Sequence, residues 1–230
     1  MIRACVLAGV LAGPLNAQDI ASATYTEPTT RYAHGVLGDA IEWGTLQITL
    51  DDGTTRQFVL PQDRVFEDVA PRVADLDHDG RLEVLVVETQ AALGAQFAVY
   101  GPEGKITATP HIGRSNRWLA PVGAADLDGD GRIEIAYIDR PHLAKTLRIW
   151  RYEDQMLSPV ADVAGLTNHR IGEPDIAGGI RDCGGGPEMI TASQDWRFVM
   201  RTLYADGTWA SEALFSHVDR SSFDRAMACN

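Results

Sequence analysis

The chain has 230 residues, 45% of them hydrophobic, with 20 basic against 32 acidic side chains and a net charge of -12. That length suits one ordinary domain or a compact repeat array with enough apolar side chains for a core. The acidic excess disfavours nucleic acid and anionic membranes as partners, because both select a basic footprint.

The opening, Met1-Ile-Arg3-Ala-Cys-Val-Leu-Ala-Gly-Val-Leu-Ala-Gly-Pro14-Leu-Asn-Ala17, has a single basic residue, a short apolar run and a small residue before a plausible cut. It reads as a secretory signal peptide over 1–17, cleaved after Ala17 and too short to span a bilayer. No second run is long enough to cross a membrane, so the mature chain, 18–230, is expected to be exported to the periplasm or beyond. Cys5 would leave with the leader.

Next in order come acidic turns that join pairs of short apolar runs. They are Leu50-Asp-Asp-Gly53-Thr54, Gly101-Pro-Glu-Gly104-Lys105 and Tyr204-Ala-Asp-Gly207-Thr208, with Arg151-Tyr-Glu-Asp-Gln155 as a glycine-free copy. The runs before them, such as Leu46-Gln-Ile-Thr-Leu50 and Leu147-Arg-Ile-Trp150, have strand composition, and the turns have hairpin chemistry. The spacings of 51, 51 and 52 residues define four units, at about 30–60, 69–113, 120–165 and 174–215, followed by a tail over 216–230. A period near fifty with about four short strands in each unit is propeller spacing. Shifted back by one period, the second unit lays Tyr32-Ala-His-Gly-Val36 over the strand that begins at Glu83, so unit one is expected to lack an inner strand of its own.

Units two and three carry the densest chemistry, Asp75-Leu-Asp77-His-Asp79-Gly80-Arg81-Leu-Glu83 and Asp126-Leu-Asp128-Gly-Asp130-Gly131-Arg132-Ile-Glu134. Four carboxylates in nine positions repel one another unless a cation sits among them, and Ca²⁺ takes six to eight oxygen ligands of this kind. The glycine allows a sharp turn, and the next residue, Arg81 or Arg132, supplies a backbone carbonyl only. An EF-hand would place a bidentate Glu at position 12, where Val86 and Tyr137 stand. The β-branched runs Leu82–Val87 and Ile133–Ile138 follow, so strand succeeds each loop rather than helix.

Strand, Asp-Leu-Asp-x-Asp-Gly-Arg-x-Glu, strand resembles the FG-GAP or VCBS-type repeat of integrin-like β-propellers, although the Phe-Gly and Gly-Ala-Pro signatures are absent. The resemblance implies an all-β fold, a small propeller of about four blades. It also implies two Ca²⁺ sites, one of Asp75, Asp77, Asp79, Arg81 and Glu83, the other of Asp126, Asp128, Asp130, Arg132 and Glu134. In unit four the corresponding stretch, Ile180 to Glu188, keeps Asp182 and Glu188 but has Ile180 and Gly184 at positions one and five, and is expected to hold calcium poorly.

After export only Cys183 and Cys229 remain, an even pair in an oxidising compartment, and a disulfide between them is expected. The tail from Ser221 is open to two readings. It starts a short helical turn, or Ala213 to Val218 supplies the inner strand missing from unit one and closes the ring.

Searches for nucleophile elbows, zinc motifs, phosphate loops and dinucleotide fingerprints find nothing. The six histidines, His34, His78, His111, His142, His169 and His217, have no metal-ligand spacing, and the five tryptophans, spread among the units, suit blade packing. Basic loop residues Arg114, Arg117, Arg140, His142, His169 and Arg170 are candidates for a face that takes an anionic or sugar ligand. The function expected is a monomeric, non-catalytic calcium-binding scaffold that holds a protein or carbohydrate. The rival is an extracellular hydrolase or lyase acting on a polysaccharide from a site in the funnel, and a third reading is a partial ring completed by a second chain.

Overall fold

The computed structural model describes residues 18–217 and 219–230; the expected leader over 1–17 lies outside the described residues. The chain is all-β. Unit one is β1 (Ile20–Thr29), β2 (Glu42–Leu50) and β3 (Thr55–Val59), after which β4 (Arg64–Phe66) leads into unit two: β5 (Arg72–Ala74), β6 (Glu83–Gln90), β7 (Gly94–Gly101) and β8 (Gly104–Ala108). Unit three is β9 (Leu119–Ala125), β10 (Glu134–Asp139), β11 (Thr146–Glu153) and β12 (Met156–Ala164). A short β13 (Leu166–Thr167) precedes unit four, β14 (Gly179–Asp182), β15 (Pro187–Ser193), β16 (Phe198–Ala205) and β17 (Thr208–Ser216), and α1 (Ser221–Met227) ends the chain.

Every pairing is antiparallel between neighbours in sequence order within a unit, as short hairpins dictate. Units three and four form separate sheets, whereas units one and two merge into one eight-stranded sheet. The splice is β4, which pairs Phe66 with Trp43 of β2 on one side and runs Arg64 to Phe66 along Gln90 to Glu88 of β6 on the other. The glycine-free turn between β11 and β12 places Asp154 and Gln155 at φ of 50° and 60°, the left-handed pair that a two-residue hairpin needs.

The core lies between the sheets. In β6, Val84 and Val86 face a cluster shared with Ile48, Phe66 and Tyr100, while Leu85 and Val87 face a second cluster with Phe97, Ile135 and Tyr137. In β10 the same alternation sends Ile135 and Tyr137 toward unit two, and Ala136 and Ile138 toward unit four, where Met189 meets them. A strand buried on both faces reads as a continuous apolar run, which is why the sequences after the two loops lack polar alternation.

Unit one differs from the expectation in its first strand. Residues 32–36 form a connection, and the strand that precedes β2 is β1, which begins at Ile20 and pairs along β2 from Leu50 to Glu42. Tyr25 anchors it, stacked on Phe66 at 5.3 Å and on Trp43 at 6.5 Å. β1 ends its sheet, so no strand stands where β5, β9 and β14 stand in their units. The C-terminal choice resolves to helix: Ala213 to Ser216 belong to β17 beside β16, and α1 buries Phe223 and Ala226 against Ile190, Ala192 and Val199. Among the described residues no strand pairing joins unit four to β1, and the two meet instead through connections, with the Gly172 amide donating to the Val36 carbonyl at 3.0 Å. No helix of the described residues is long and apolar enough to cross a membrane.

Alternating strand direction gives the molecule two ends. The acidic loops and the β7–β8 and β11–β12 turns lie at one. The connections 30–41, 109–118, 140–145 and 168–178 lie at the other.

Candidate metal centres and a cavity at the opposite end

The two acidic loops fold alike because their sequences solve the same turn in the same way. The amide of Gly80 donates to Asp75 Oδ2 and that of Gly131 to Asp126 Oδ2, both at 3.0 Å. Glu83 and Glu134 enter the next strand and reach back, each Oε2 accepting from the amide of Leu76 or Leu127 at 2.9 Å. Position four takes positive φ in both loops, 60° at His78 and 77° at Gly129, so the histidine occupies a turn position.

One oxygen from each of Asp75, Asp77 and Glu83 lies within 4.8 Å of the others, and so do oxygens of Asp126, Asp128 and Glu134. Ca²⁺ at about 2.3–2.6 Å from its ligands places opposed oxygens roughly 5 Å apart, so both clusters have the span of a calcium shell. Asp75 Oδ1 is buried without a hydrogen-bond partner among the described residues. Glu83 is pushed up to about 7, by burial first and then by the charges of Asp77, Asp79 and Asp75. An all-oxygen donor set, an orphaned buried oxygen and a carboxyl held back from ionising fit a hard divalent cation. Asp79 and Asp130 stand outside the three-residue groups. The Arg81 Nε donates to Asp79 at 2.8 Å, and Arg132 lies 3.7 Å from Asp130 and 3.2 Å from Glu153, so both guanidinium groups engage acids in addition to the carbonyl role expected of these residues.

The loops differ in what faces them. In unit three Arg151, paired with Glu134 in the β10–β11 register, places Nε 2.7 Å from Glu134, Nη2 2.5 Å from Asp128 and Nη1 3.0 Å from Asp130. In unit two the strand position beyond the Val84–Tyr100 pair is Gly101, which shares a cavity with Glu83 and brings no charge. Unit four has moved furthest. β14 runs through Asp182, leaving a tight turn closed by the Asp182–Pro187 pair, and Glu188 is held by Arg181 at 2.6 Å and Arg201 at 3.3 Å. Cys183 in that turn is bonded to Cys229, as expected. The three arginines were missed in the sequence, where the one available signal is the cross-strand register.

The other end gathers several of the basic candidates. Arg117, Arg140 and His142 line a cavity of about 290 Å³ together with His34 and Trp118. His169 lies behind it, its Nδ1 3.0 Å from His142 Nε2, while Arg114 is exposed outside and Arg170 lies over Trp196 at 4.0 Å. Burial and the charge of His169 push His142 down to about 4. His34 Nδ1 lies 2.5 Å from the carboxylate of fully buried Glu67, which also accepts from Thr89 Oγ1 at 2.6 Å, while the Glu67 backbone carbonyl accepts from Trp118 Nε1 at 2.8 Å. Thus three of the six histidines converge, although nothing in their spacing announced it.

These geometries define a class, an all-β protein built from strand, acidic loop, strand units. Within it, residues 75–137 match the model of an FG-GAP-like repeat, which covers both acidic loops, all of β6 and β10 as far as Tyr137. No curated protein matches the chain. A solved structure with similarity is that of the V. cholerae biofilm matrix protein Bap1, 14% identical, covering 84% of this chain and 34% of that one with a TM-score of 0.30. The chain therefore spans about a third of the length of that protein's chain, and at this level of superposition its role rests on its own residues.

Proposed function

We propose that the protein is an exported, non-catalytic binding scaffold, a small four-unit propeller whose acidic loops hold structural calcium and whose opposite end holds a protein or carbohydrate partner. The observation that carries the reading is the convergence of oxygens from Asp75, Asp77 and Glu83, with Asp75 Oδ1 buried and unpartnered among the described residues. Asp75, Asp77, Asp79, the Arg81 carbonyl and Glu83 would hold one ion, and Asp126, Asp128, Asp130, the Arg132 carbonyl and Glu134 the other. Calcium supplies the positive charge that lets these oxygens stay together, and so fixes the turn that aims β6 and β10. The Cys183–Cys229 bridge supports export, because such bonds persist in oxidising compartments. The hydrogen bond from Gly172, in the connection leading into unit four, to Val36, in the β1–β2 connection of unit one, supports ring closure within one monomer.

The test is thermal unfolding with added Ca²⁺ and with chelator, on the native protein and on Asp75→Ala and Asp126→Ala. Calcium at about 100 times the Kd of the first site should add roughly 2.7 kcal/mol there, and less at the second, where Arg151 already engages Asp128 and Glu134. Asp75→Ala should remove more of that response than Asp126→Ala. A midpoint that ignores both calcium and chelator overturns the proposal.

The hydrolytic rival has one specific observation in its favour. Glu42 is pushed up to about 9, by burial and then by Glu67, and Glu67 is itself raised by burial. Paired carboxyls of this kind mark many acid–base sites. Both are at most 2% exposed and neither lines a described cavity; Glu67 touches the cavity through His34. Turnover of polysaccharide lost in both Glu42→Gln and Glu67→Gln would decide for the enzyme.

A further inference from the structure

The cavity at the end opposite the acidic loops has the construction of a ligand site. Its walls are apolar, formed by Trp118 with Leu143 and Ile171, and these last two are 63% and 72% exposed at its mouth. Large apolar side chains left to solvent beside a preformed concavity, with a few fixed polar groups, are the usual make-up of a small-molecule site. His34 is fixed by what lies behind it: Glu67 grips Nδ1, and Thr89 grips Glu67. Its Nε2 makes no hydrogen bond among the described residues. With Nδ1 engaged by Glu67, Nε2 is the ring nitrogen left for a ligand.

The charges that line the cavity cancel except for one. Arg140 is held by Asp139 at 2.8 and 3.0 Å, and Asp139 also takes Arg148, which is matched in turn by Asp162. His142 is kept neutral by burial. Arg117 alone has no carboxylate partner among the described residues; its Nη1 donates only to the carbonyl of its neighbour Asn116, at 2.8 Å. In a chain of net charge -12, an unmatched guanidinium beside an apolar concavity and a fixed imidazole is a receptor for one negative charge on a hydrophobic body.

We propose that this cavity binds a small monocarboxylate with an apolar body, the carboxylate shared between the Arg117 guanidinium and His34 Nε2 and the body lying against Trp118, Leu143 and Ile171. The site goes beyond the scaffold reading and does not depend on calcium chemistry. Asn116, whose amide donates to Tyr32 Oη at 2.9 Å, ties the Arg117 segment to the His34 segment, so both polar groups are positioned before a ligand arrives.

The probe is benzoate, followed by saturation-transfer NMR and titration on calcium-loaded, full-length protein, with benzyl alcohol as the uncharged analogue and glucuronate as a carboxylate with a polar body. Benzoate should bind at least tenfold more tightly than either analogue. Arg117→Gln should weaken it at least tenfold and His34→Gln at least fivefold, while Arg114→Gln, a change at an exposed arginine outside the cavity, should leave it unaltered. Circular dichroism on each variant separates lost binding from lost fold, and Arg117→Gln, made at the rim, keeps the test open if His34→Gln does not fold. No benzoate signal in the native protein, equal binding of benzyl alcohol, preference for glucuronate, or an equal loss in Arg114→Gln overturns the proposal. The calcium melt on the same sample separates the two readings: benzoate binding without a calcium response sinks the scaffold reading alone, and the reverse sinks this one alone.

Discussion

The loops at 75–83 and 126–134 share nine positions of pattern and the same internal hydrogen bonds, yet they stand opposite different neighbours. Glu83 faces Gly101 and keeps an orphaned Asp75 oxygen nearby, whereas Glu134, Asp128 and Asp130 are bridged by Arg151. The motif thus sets which oxygens converge, and the adjacent strand sets how much of their repulsion the chain itself relieves. On that reading the first loop depends on an outside cation more than the second, and the turn in unit four, with Arg181, Arg201 and a disulfide, has dispensed with one.

The largest expected effect lies at that far end of the series. The bridge between Cys183 and Cys229 spans 46 residues, and its loss should cost about 4 kcal/mol on the chain-entropy estimate, a drop in midpoint on the order of 10 °C. The Cys183→Ser, Cys229→Ser double variant, melted with and without calcium, measures it. The drop should be equal in both conditions, because the bridge replaces an ion rather than assisting one. A drop that calcium reverses would return unit four to the family of metal loops.

Arg151→Gln comes next and tests the comparison directly. Removing the guanidinium leaves three acids facing one another, so the calcium-free protein should lose about 2 kcal/mol, the scale of a charged hydrogen-bond set that is partly exposed. Calcium should restore most of it, so the variant should respond to calcium more strongly than the native protein does. Isothermal titration should find the second site tightened toward the first. If the variant is as stable as the parent without calcium and binds no more tightly with it, the two loops are equivalent and Arg151 is incidental.

What could be read along the chain was whatever depends on neighbours in sequence. The four turns, the acid spacing and the strand type after each loop are local, and they appear in the structure where the residues placed them. The Cys183–Cys229 pair was legible by elimination once Cys5 was assigned to the leader. What escaped depends on register. Arg151 stands 17 positions from Glu134, and Glu67 stands 33 from His34, distances that only folded strands and connections close. β1 was misplaced for a related reason: a fixed period was carried back into a unit whose first connection, 30–41, is longer than its counterparts, so the strand slid toward the N-terminus. β4, three residues long, bridges two units and carries no periodicity of its own.

The smallest predicted effect is a pH dependence that separates the loops. Burial and then Asp77, Asp79 and Asp75 push Glu83 up to about 7 from 4.5. A group with a raised folded value contributes stability that is fully present below about 4.5 and is lost as pH rises through about 7. The calcium-free protein should therefore melt at lower temperature at pH 8 than at pH 5, and calcium should flatten that fall by neutralising the loop. Glu42 and Glu67 are raised too and act with the same sign, so the informative quantity is the difference between native protein and Glu83→Gln over this window. Glu83→Gln should fall less steeply than the native protein. Glu134→Gln should differ from it less, because the Arg151 hydrogen bond already draws Glu134 back toward its ordinary range. Parallel melting profiles for the native protein and Glu83→Gln would mean that the first loop is not under charge strain, and the asymmetry between the loops would then lie in geometry alone.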